Sequence, residues 1–80
     1  MSAEPIRADQ VLDVKGLACP LPILKTKQRI NQMQSGEVLH VLATDPAAPI
    51  DFKAFCLRTP NELVEFSSNN ELFEFYIRKA

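Results

Sequence analysis

The sequence is poor in cysteine, histidine and glycine, and these shortages exclude several kinds of site. Its 80 residues include two cysteines, one histidine, two glycines and no tryptophan. The cysteines, Cys19 and Cys56, do not form a C-x-x-C pair, and His40 is the single histidine. A zinc site would therefore lack its ligands, and we expect neither a metal nor another cofactor.

The sequence also lacks an excess of positive charge and a long apolar run. Nine Lys or Arg residues face ten Asp or Glu residues, for a net charge of −1. Direct nucleic-acid binding is not expected, because phosphate contacts normally require a basic surplus. No run reaches the roughly 20 apolar residues of a membrane span, and the polar first ten residues do not resemble a signal peptide. We therefore predict a cytoplasmic protein, not bound to a membrane, with both cysteines as free thiols.

What remains is an ordinary globular composition, with 46% hydrophobic and 24% charged residues. The length predicts one domain over residues 1–80, with residues 1–9 as a flexible N-terminal tail. A domain this small buries only about 60–65% of the surface of its unfolded chain. A deep enclosed active site is hard to build at this size, so we expect chemistry at the surface.

Hydrophobic patterning predicts six elements in the order βαβαββ. Strands are predicted over 10–14, 38–43, 62–67 and 71–78, the last two as a hairpin with an Asn-rich turn. Helices are predicted over about 20–34, with Gly36 as the stop, and through 51–57, with Asp45 as a candidate cap. This order indicates an α+β fold, a two-layer sandwich with both helices packed on one face of a four-stranded mixed sheet.

The most informative segment is Cys-Pro-Leu-Pro at the start of the first helix. Gly16 supplies the turn before it. If Cys19 is the N-cap and Pro20 the first helical residue, Pro22 has no N–H, and the Leu21 amide is the donor left for the sulfur. The positive end of the helix then favours a thiolate, so we predict a pKa for Cys19 below its ordinary value of about 8.5. The alternative is a buried cysteine that only packs.

A helical wheel separates a buried stripe from a candidate docking surface. Leu21 and Leu24 fall off the stripe beside the cysteine, which predicts exposure and partner docking, although single exposed leucines are common. Lys25 and Arg29 lie on a neighbouring face and are candidates to meet an acidic partner; an ordinary solvated face is the alternative. The stripe itself, with Pro22 at its edge, consists of Ile23, Thr26, Ile30 and Met33.

No catalytic base accompanies the thiol. His40 lies in a predicted central strand and is interpreted as a polar position of the sheet, and Cys56 as a core residue of the second helix. An activated thiol without a catalytic base or a substrate pocket is suited to accepting a chemical group and passing it on, as in thiol exchange. This favours a persulfide carrier over a stand-alone, multiple-turnover enzyme.

The segment from Asp13 to Pro22 has the pattern D-x-x-G-x-x-C-P-x-P, and with it the chain resembles the TusA/SirA-like family of small sulfur carriers. Further matches are 36–39, 43–46, Asp51 and 77–79. The resemblance implies the βαβαββ fold and a persulfide on Cys19, received from a cysteine desulfurase or a rhodanese-like donor. It also implies delivery to an acceptor protein, for 2-thiouridine synthesis in tRNA or for sulfur oxidation.

Position 21 bears on the choice between these pathways. Many tRNA-pathway members of the family carry an acidic residue between the two prolines, whereas several members from sulfur oxidisers have Cys-Pro-Leu-Pro, as here. Two other functions remain open: a thiol redox sensor, which would favour a resolving cysteine near Cys19, and a regulatory or interaction module in which Cys19 matters little.

Overall fold

The structure, a computed structural model, describes residues 7–80 as four strands and two helices. In chain order these are β1 (Gln10–Asp13), α1 (Leu21–Asn31), β2 (Val38–Ala43), α2 (Ala48–Arg58), β3 (Glu62–Asn69) and β4 (Leu72–Arg78). The predicted α+β class and the βαβαββ order are confirmed. Within the described residues, neither helix has the length and apolar character needed to cross a membrane.

The end of α1 differs from the prediction by three residues. After Asn31 the chain tightens, and the N–H groups of Gln32 and Met33 donate to carbonyls only three residues back, at 3.0 Å. Such bonds are a common way to satisfy the last carbonyls of a helix, and they end the α-helical geometry early.

The sheet has the strand order β1-β2-β4-β3. β1 and β2 are parallel, while β4 is antiparallel to both β2 and β3. Because parallel strands end at the same edge of a sheet, the segments after β1 and β2 lie side by side. We call this the carboxyl edge; both helices begin there.

Both helices cover one face of the sheet, and the predicted buried stripe of α1 is confirmed. Thr26 is fully buried, and its hydroxyl donates to the Pro22 carbonyl at 2.9 Å, so its polar group is satisfied. From α2, the Phe52 ring stacks on Phe75 of β4 at 4.2 Å between centroids. The other buried core side chains are Val14, Ile30, Met33, Leu39, Val41, Ala43, Ala48, Phe55 and Ile77.

His40 lies on the other face of the sheet, as the alternation along β2 requires. Its Nε2 is 2.8 Å from a carboxylate oxygen of Glu74, and its ring stacks on Tyr76 at 4.3 Å. Both partners belong to β4, the strand paired with β2. The interpretation of His40 as a polar position of the sheet is confirmed.

The β3–β4 hairpin closes with a two-residue turn at Asn70 and Glu71. Both residues have positive φ, 50° and 67°. Two consecutive left-handed residues are characteristic of the type I′ turn, whose twist matches that of the strands it joins. Asn accepts this conformation readily, whereas Glu does so at a cost.

A lysine near the chain end secures the C-terminal end of α1. Lys79 Nζ donates to the carbonyls of Ile30 and Met33 at 2.9 and 2.8 Å. Its backbone N–H donates to the Glu37 carbonyl, and its carbonyl accepts from Gly36 N–H. A cation at this position adds a hydrogen bond to carbonyls at the end of the helix and faces its negative end.

Most of the predicted N-terminal tail, residues 1–6, lies outside the described residues. At its other end, Asp9 N–H donates to the Val38 carbonyl, and Asp9 Oδ2 accepts from Val38 N–H, both at 2.8 Å. Residue 9 is therefore joined to the start of β2.

Candidate functional site

Cys19 lies at the carboxyl edge, at the end of a turn that follows β1. Gly16 has φ of +83°, and its N–H donates to the Thr44 hydroxyl at 2.9 Å. Thr44 directly follows β2, so this bond joins the two segments of the edge. Gly16 is thus the turn residue that the sequence predicted, in a left-handed conformation that other residues rarely adopt.

The helix start differs from the prediction by one residue. Pro20, not Cys19, is the N-cap of α1, and no side chain caps it. The Cys19–Pro20 peptide bond is cis. The Leu21 amide, which was predicted to face the sulfur, instead donates to the Ala18 carbonyl at 2.9 Å. Pro22 lies in the first turn, as predicted.

Asp45, at the carboxyl edge just after β2, holds the backbone of Cys19. Its Oδ2 accepts from Cys19 N–H at 3.1 Å. The sequence suggested Asp45 as the side-chain cap of α2, but the N-cap of that helix is Ala47, without a side-chain hydrogen bond. Only the Asp45 carbonyl serves the helix start, by accepting from Ala48 N–H at 2.9 Å. The carboxylate is therefore free to position the cysteine.

A second carboxylate, Asp51 in the first turn of α2, approaches the Cys19 sulfur. The sulfur and one carboxylate oxygen each of Asp45 and Asp51 all lie within 4.8 Å of one another. Hydrogen bonding to Asp51 is the largest cause that raises the pKa of Cys19, followed by some desolvation and by the charges of both carboxylates. The prediction of a lowered pKa for Cys19 is therefore wrong. It considered only the helix start and not these two carboxylates, and Cys19 is not the N-cap on which it relied.

The same three groups are the possible ligand atoms for an ion at this edge. They comprise one thiol and two carboxylates, and no fourth His, Cys, Asp or Glu among residues 7–80 joins the set. Structural zinc sites use four ligands, mostly sulfur and imidazole nitrogen. The cluster does not match that pattern, and we assign no ion to it.

A shallow cavity of about 270 Å³ runs from Cys19 along the junction of α1 and α2. Its apolar lining comes from both helices, and two cationic side chains, Lys27 and Arg58, also border it. Neither cation was predicted from the sequence to lie near the sulfur. Besides these two and Cys19, the lining residues are Pro20, Ile23, Asp51, Ala54, Phe55 and Thr59.

The four predicted docking residues divide into two pairs. Leu21 and Leu24 are exposed, at 46% and 44%, on the part of α1 that follows Cys19. Lys25 and Arg29 instead border a separate cavity beside β1, where Arg29 Nη1 donates to Gln10 Oε1 at 3.2 Å. The structure therefore does not bring this basic pair to the cavity that contains the sulfur.

Cys56 is half-buried and packs against the core, in line with its interpretation as a helix residue of the interior. Burial raises the pKa of its thiol. It borders a different cavity from that of Cys19, with Leu57 and Leu63 among the lining residues. Both cysteines are free thiols. This separation gives Cys56 no contact that would make it the resolving partner of Cys19.

The fold and this edge define a class: a small α+β domain with an exposed free cysteine where a helix leaves the carboxyl edge of its sheet. The family model described as Sulfurtransferase TusA matches residues 10–79. The chain belongs to this family, which confirms the resemblance found in the sequence. Membership supports a role as a sulfur carrier.

Three relatives match this chain over nearly their full length. The sulfur carrier protein TusA of Allochromatium vinosum is 53% identical over 72 residues, which are 90% of this chain and 95% of that protein. A putative sulfur carrier protein of Neisseria meningitidis serogroup A is 49% identical over 69 residues, 86% of this chain and 93% of that one. The putative sulfur carrier protein YrkI of Bacillus subtilis is 40% identical over 75 residues, 94% of this chain and 100% of that one.

A solved structure shares the architecture. The SirA-like protein of Desulfitobacterium hafniense matches with a TM-score of 0.76, over 86% of this chain and 95% of that chain. Its sequence identity is only 20%, so this likeness supports the fold alone.

Proposed function

We infer that this protein is a sulfur carrier that bears a persulfide on Cys19. The observation that carries the inference is an exposed thiol at the carboxyl edge, in a chain whose family model covers residues 10–79. The sulfur comes from a cysteine desulfurase or a rhodanese-like donor and passes to an acceptor protein. The carrier turns over once per loading, so it is not a stand-alone enzyme, and its place of action is the cytoplasm.

Loading is an exchange of sulfur between thiols. The Cys19 thiolate attacks the terminal sulfur of a donor persulfide R–S–SH; the bond from Cys19 Sγ to that sulfur forms as the R–S bond to it breaks. The donor leaves as R–S⁻ and takes up the proton lost by Cys19. The net change is Cys19–SH + R–S–SH → Cys19–S–SH + R–SH, with no external oxidant or reductant. Delivery is the same step with the carrier as donor.

The residues around the sulfur have supporting roles. Gly16 sets the turn that presents Cys19, and Pro20 and Pro22 stiffen the start of α1. Leu21 and Leu24 form an apolar docking surface beside the sulfur. Exposed apolar groups next to a reacting atom suit a carrier, because both the donor and the acceptor must bring a sulfur to it.

The acceptor serves either tRNA 2-thiouridine synthesis or dissimilatory sulfur trafficking. Leu21 between the two prolines favours the second, by its resemblance to members from sulfur oxidisers. A redox sensor is less well supported, because it would favour a resolving cysteine near Cys19, and Cys56 borders a different cavity from that of Cys19. Adjacent genes for tRNA thiolation or for sulfur oxidation would separate the two pathways.

The test is loading by a cysteine desulfurase with cysteine, followed by intact mass measurement. We expect the protein and its Cys56→Ser variant to gain one or more sulfur atoms, and Cys19→Ser to gain none. Both substitutions replace a thiol with a hydroxyl, so each is the control for the other. Loading that persists in Cys19→Ser and is lost in Cys56→Ser would contradict the assignment of the site.

A further inference from the structure

The two carboxylates beside Cys19 are unexpected for a nucleophile, because nearby negative charge disfavours a thiolate. Cys19 Sγ, Asp45 and Asp51 lie within 4.8 Å of one another. The two carboxylates have different geometric roles. Asp45 accepts the Cys19 backbone N–H, whereas Asp51 reaches the sulfur from the neighbouring helix.

A carrier alternates between two charge states at this position. A persulfide is a stronger acid than the corresponding thiol, so near neutral pH the loaded group is largely Cys19–S–S⁻. The empty group is Cys19–SH, a neutral hydrogen-bond donor. A fixed carboxylate next to the sulfur therefore interacts favourably with the empty state and unfavourably with the loaded one.

We propose that Asp51 is a positioning residue that biases the carrier toward giving its sulfur away, because its carboxylate, within 4.8 Å of Cys19 Sγ, favours the neutral thiol of empty Cys19 and repels the anionic persulfide of loaded Cys19. This proposal rests on the proposed function. The relevant equilibrium near neutral pH is Cys19–SH + R–S–S⁻ ⇌ Cys19–S–S⁻ + R–SH, in which atoms and charge balance. Asp51 shifts it to the left, toward empty carrier.

The size of the effect follows from the separation of the charges. Two unit charges about 5 Å apart in a medium as polar as water change an equilibrium constant about fourfold. The exposed position of Cys19 makes this solvent-like case the appropriate one. Salt should weaken the effect, because the screening length falls to about 3 Å at about 1 M.

Asp51→Asn is the informative substitution, because it removes the charge and keeps the shape. Asp51→Glu keeps the charge and tests rescue. The matched control is Glu65→Gln, which removes one negative charge from an exposed residue of β3 that pairs with Tyr76, on the face of the sheet without helices. Cys56→Ser serves as the background, so that only one thiol reacts.

The first measurement is the partition of sulfur between the carrier and glutathione. Each variant is loaded by a cysteine desulfurase and titrated with glutathione, and the loaded fraction is read by intact mass. We expect Asp51→Asn to need about fourfold more glutathione for half unloading at low salt, with a smaller difference at high salt. Asp51→Glu and Glu65→Gln should stay near the parent. Equal partition in folded Asp51→Asn and in the parent would overturn the proposal.

The second measurement does not depend on sulfur transfer. Alkylation of Cys19 against pH reports the thiolate, and we expect its inflection to move to lower pH in Asp51→Asn but not in Glu65→Gln. An unmoved inflection would also overturn the proposal. If neither the parent nor any of the variants takes up sulfur, the proposed function fails. The alkylation profile then still tests the effect of Asp51 on the Cys19 thiol.

Discussion

Replacing Leu21 and Leu24 together by serine separates docking from folding. The two side chains are 46% and 44% exposed, so about half of each is already in water. Full burial of a leucine stabilises a protein by about 1.5–3 kcal/mol, so each half-buried side chain contributes about 1 kcal/mol. The double variant should lose about 2 kcal/mol. No internal cavity forms, because the vacated space opens to solvent.

Leu39→Ser is the matched control for this loss of stability. Leu39 is 0% exposed in β2, between the sheet and the helices. Removing this side chain loses the full free energy of its burial and leaves a cavity, which together cost about 2–5 kcal/mol for leucine truncations. The buried serine hydroxyl adds to this cost. A chain of 80 residues has a total stability of about 4–12 kcal/mol. One core substitution should therefore destabilise the protein more than both surface substitutions together.

Two assays give the answer: urea unfolding, and the rate of sulfur transfer from a cysteine desulfurase. If each leucine contributes about 1 kcal/mol at the centre of an interface, the double variant should transfer about 30-fold more slowly at limiting carrier concentration. A stability loss as large as that of Leu39→Ser would refute the orientation of α1. An unchanged transfer rate in the folded double variant would refute the docking surface.

Two further predictions concern stability alone and are measured by urea unfolding. Lys79→Met should cost about 1–3 kcal/mol, because it removes two charge-assisted hydrogen bonds, to the carbonyls of Ile30 and Met33; its control Arg78→Met, which breaks only an exposed ion pair, should cost less than about 1 kcal/mol. Equal losses would contradict the role of Lys79. Glu71→Gly should stabilise the hairpin by about 1 kcal/mol, because φ of +67° is unfavourable for Glu but not for Gly; a destabilised variant would contradict this reasoning.

The elements were predictable because their signals are local. The apolar run 38–43 forms a strand with those bounds, and the apolar stripe of α1 faces the core. The end of α1 was not predicted correctly: the Lys79 side chain, which binds the Ile30 and Met33 carbonyls there, comes from the far end of the chain. Local patterns carry no information about such a partner.

For the site, the sequence by itself determined the exposed cysteine, the turn before it and the family of the chain. Cys19 follows Gly16 and precedes two prolines, and these features lie within a few residues of one another. Only the tertiary structure decided the electrostatics. Asp45 and Asp51 come 26 and 32 residues later, and the parallel pairing of β1 with β2 brings their segment to the same edge. The helix start alone predicted a lowered pKa for the thiol; the carboxylates from across the edge raise it, because the charge a sulfur faces depends on distance in space and not along the chain.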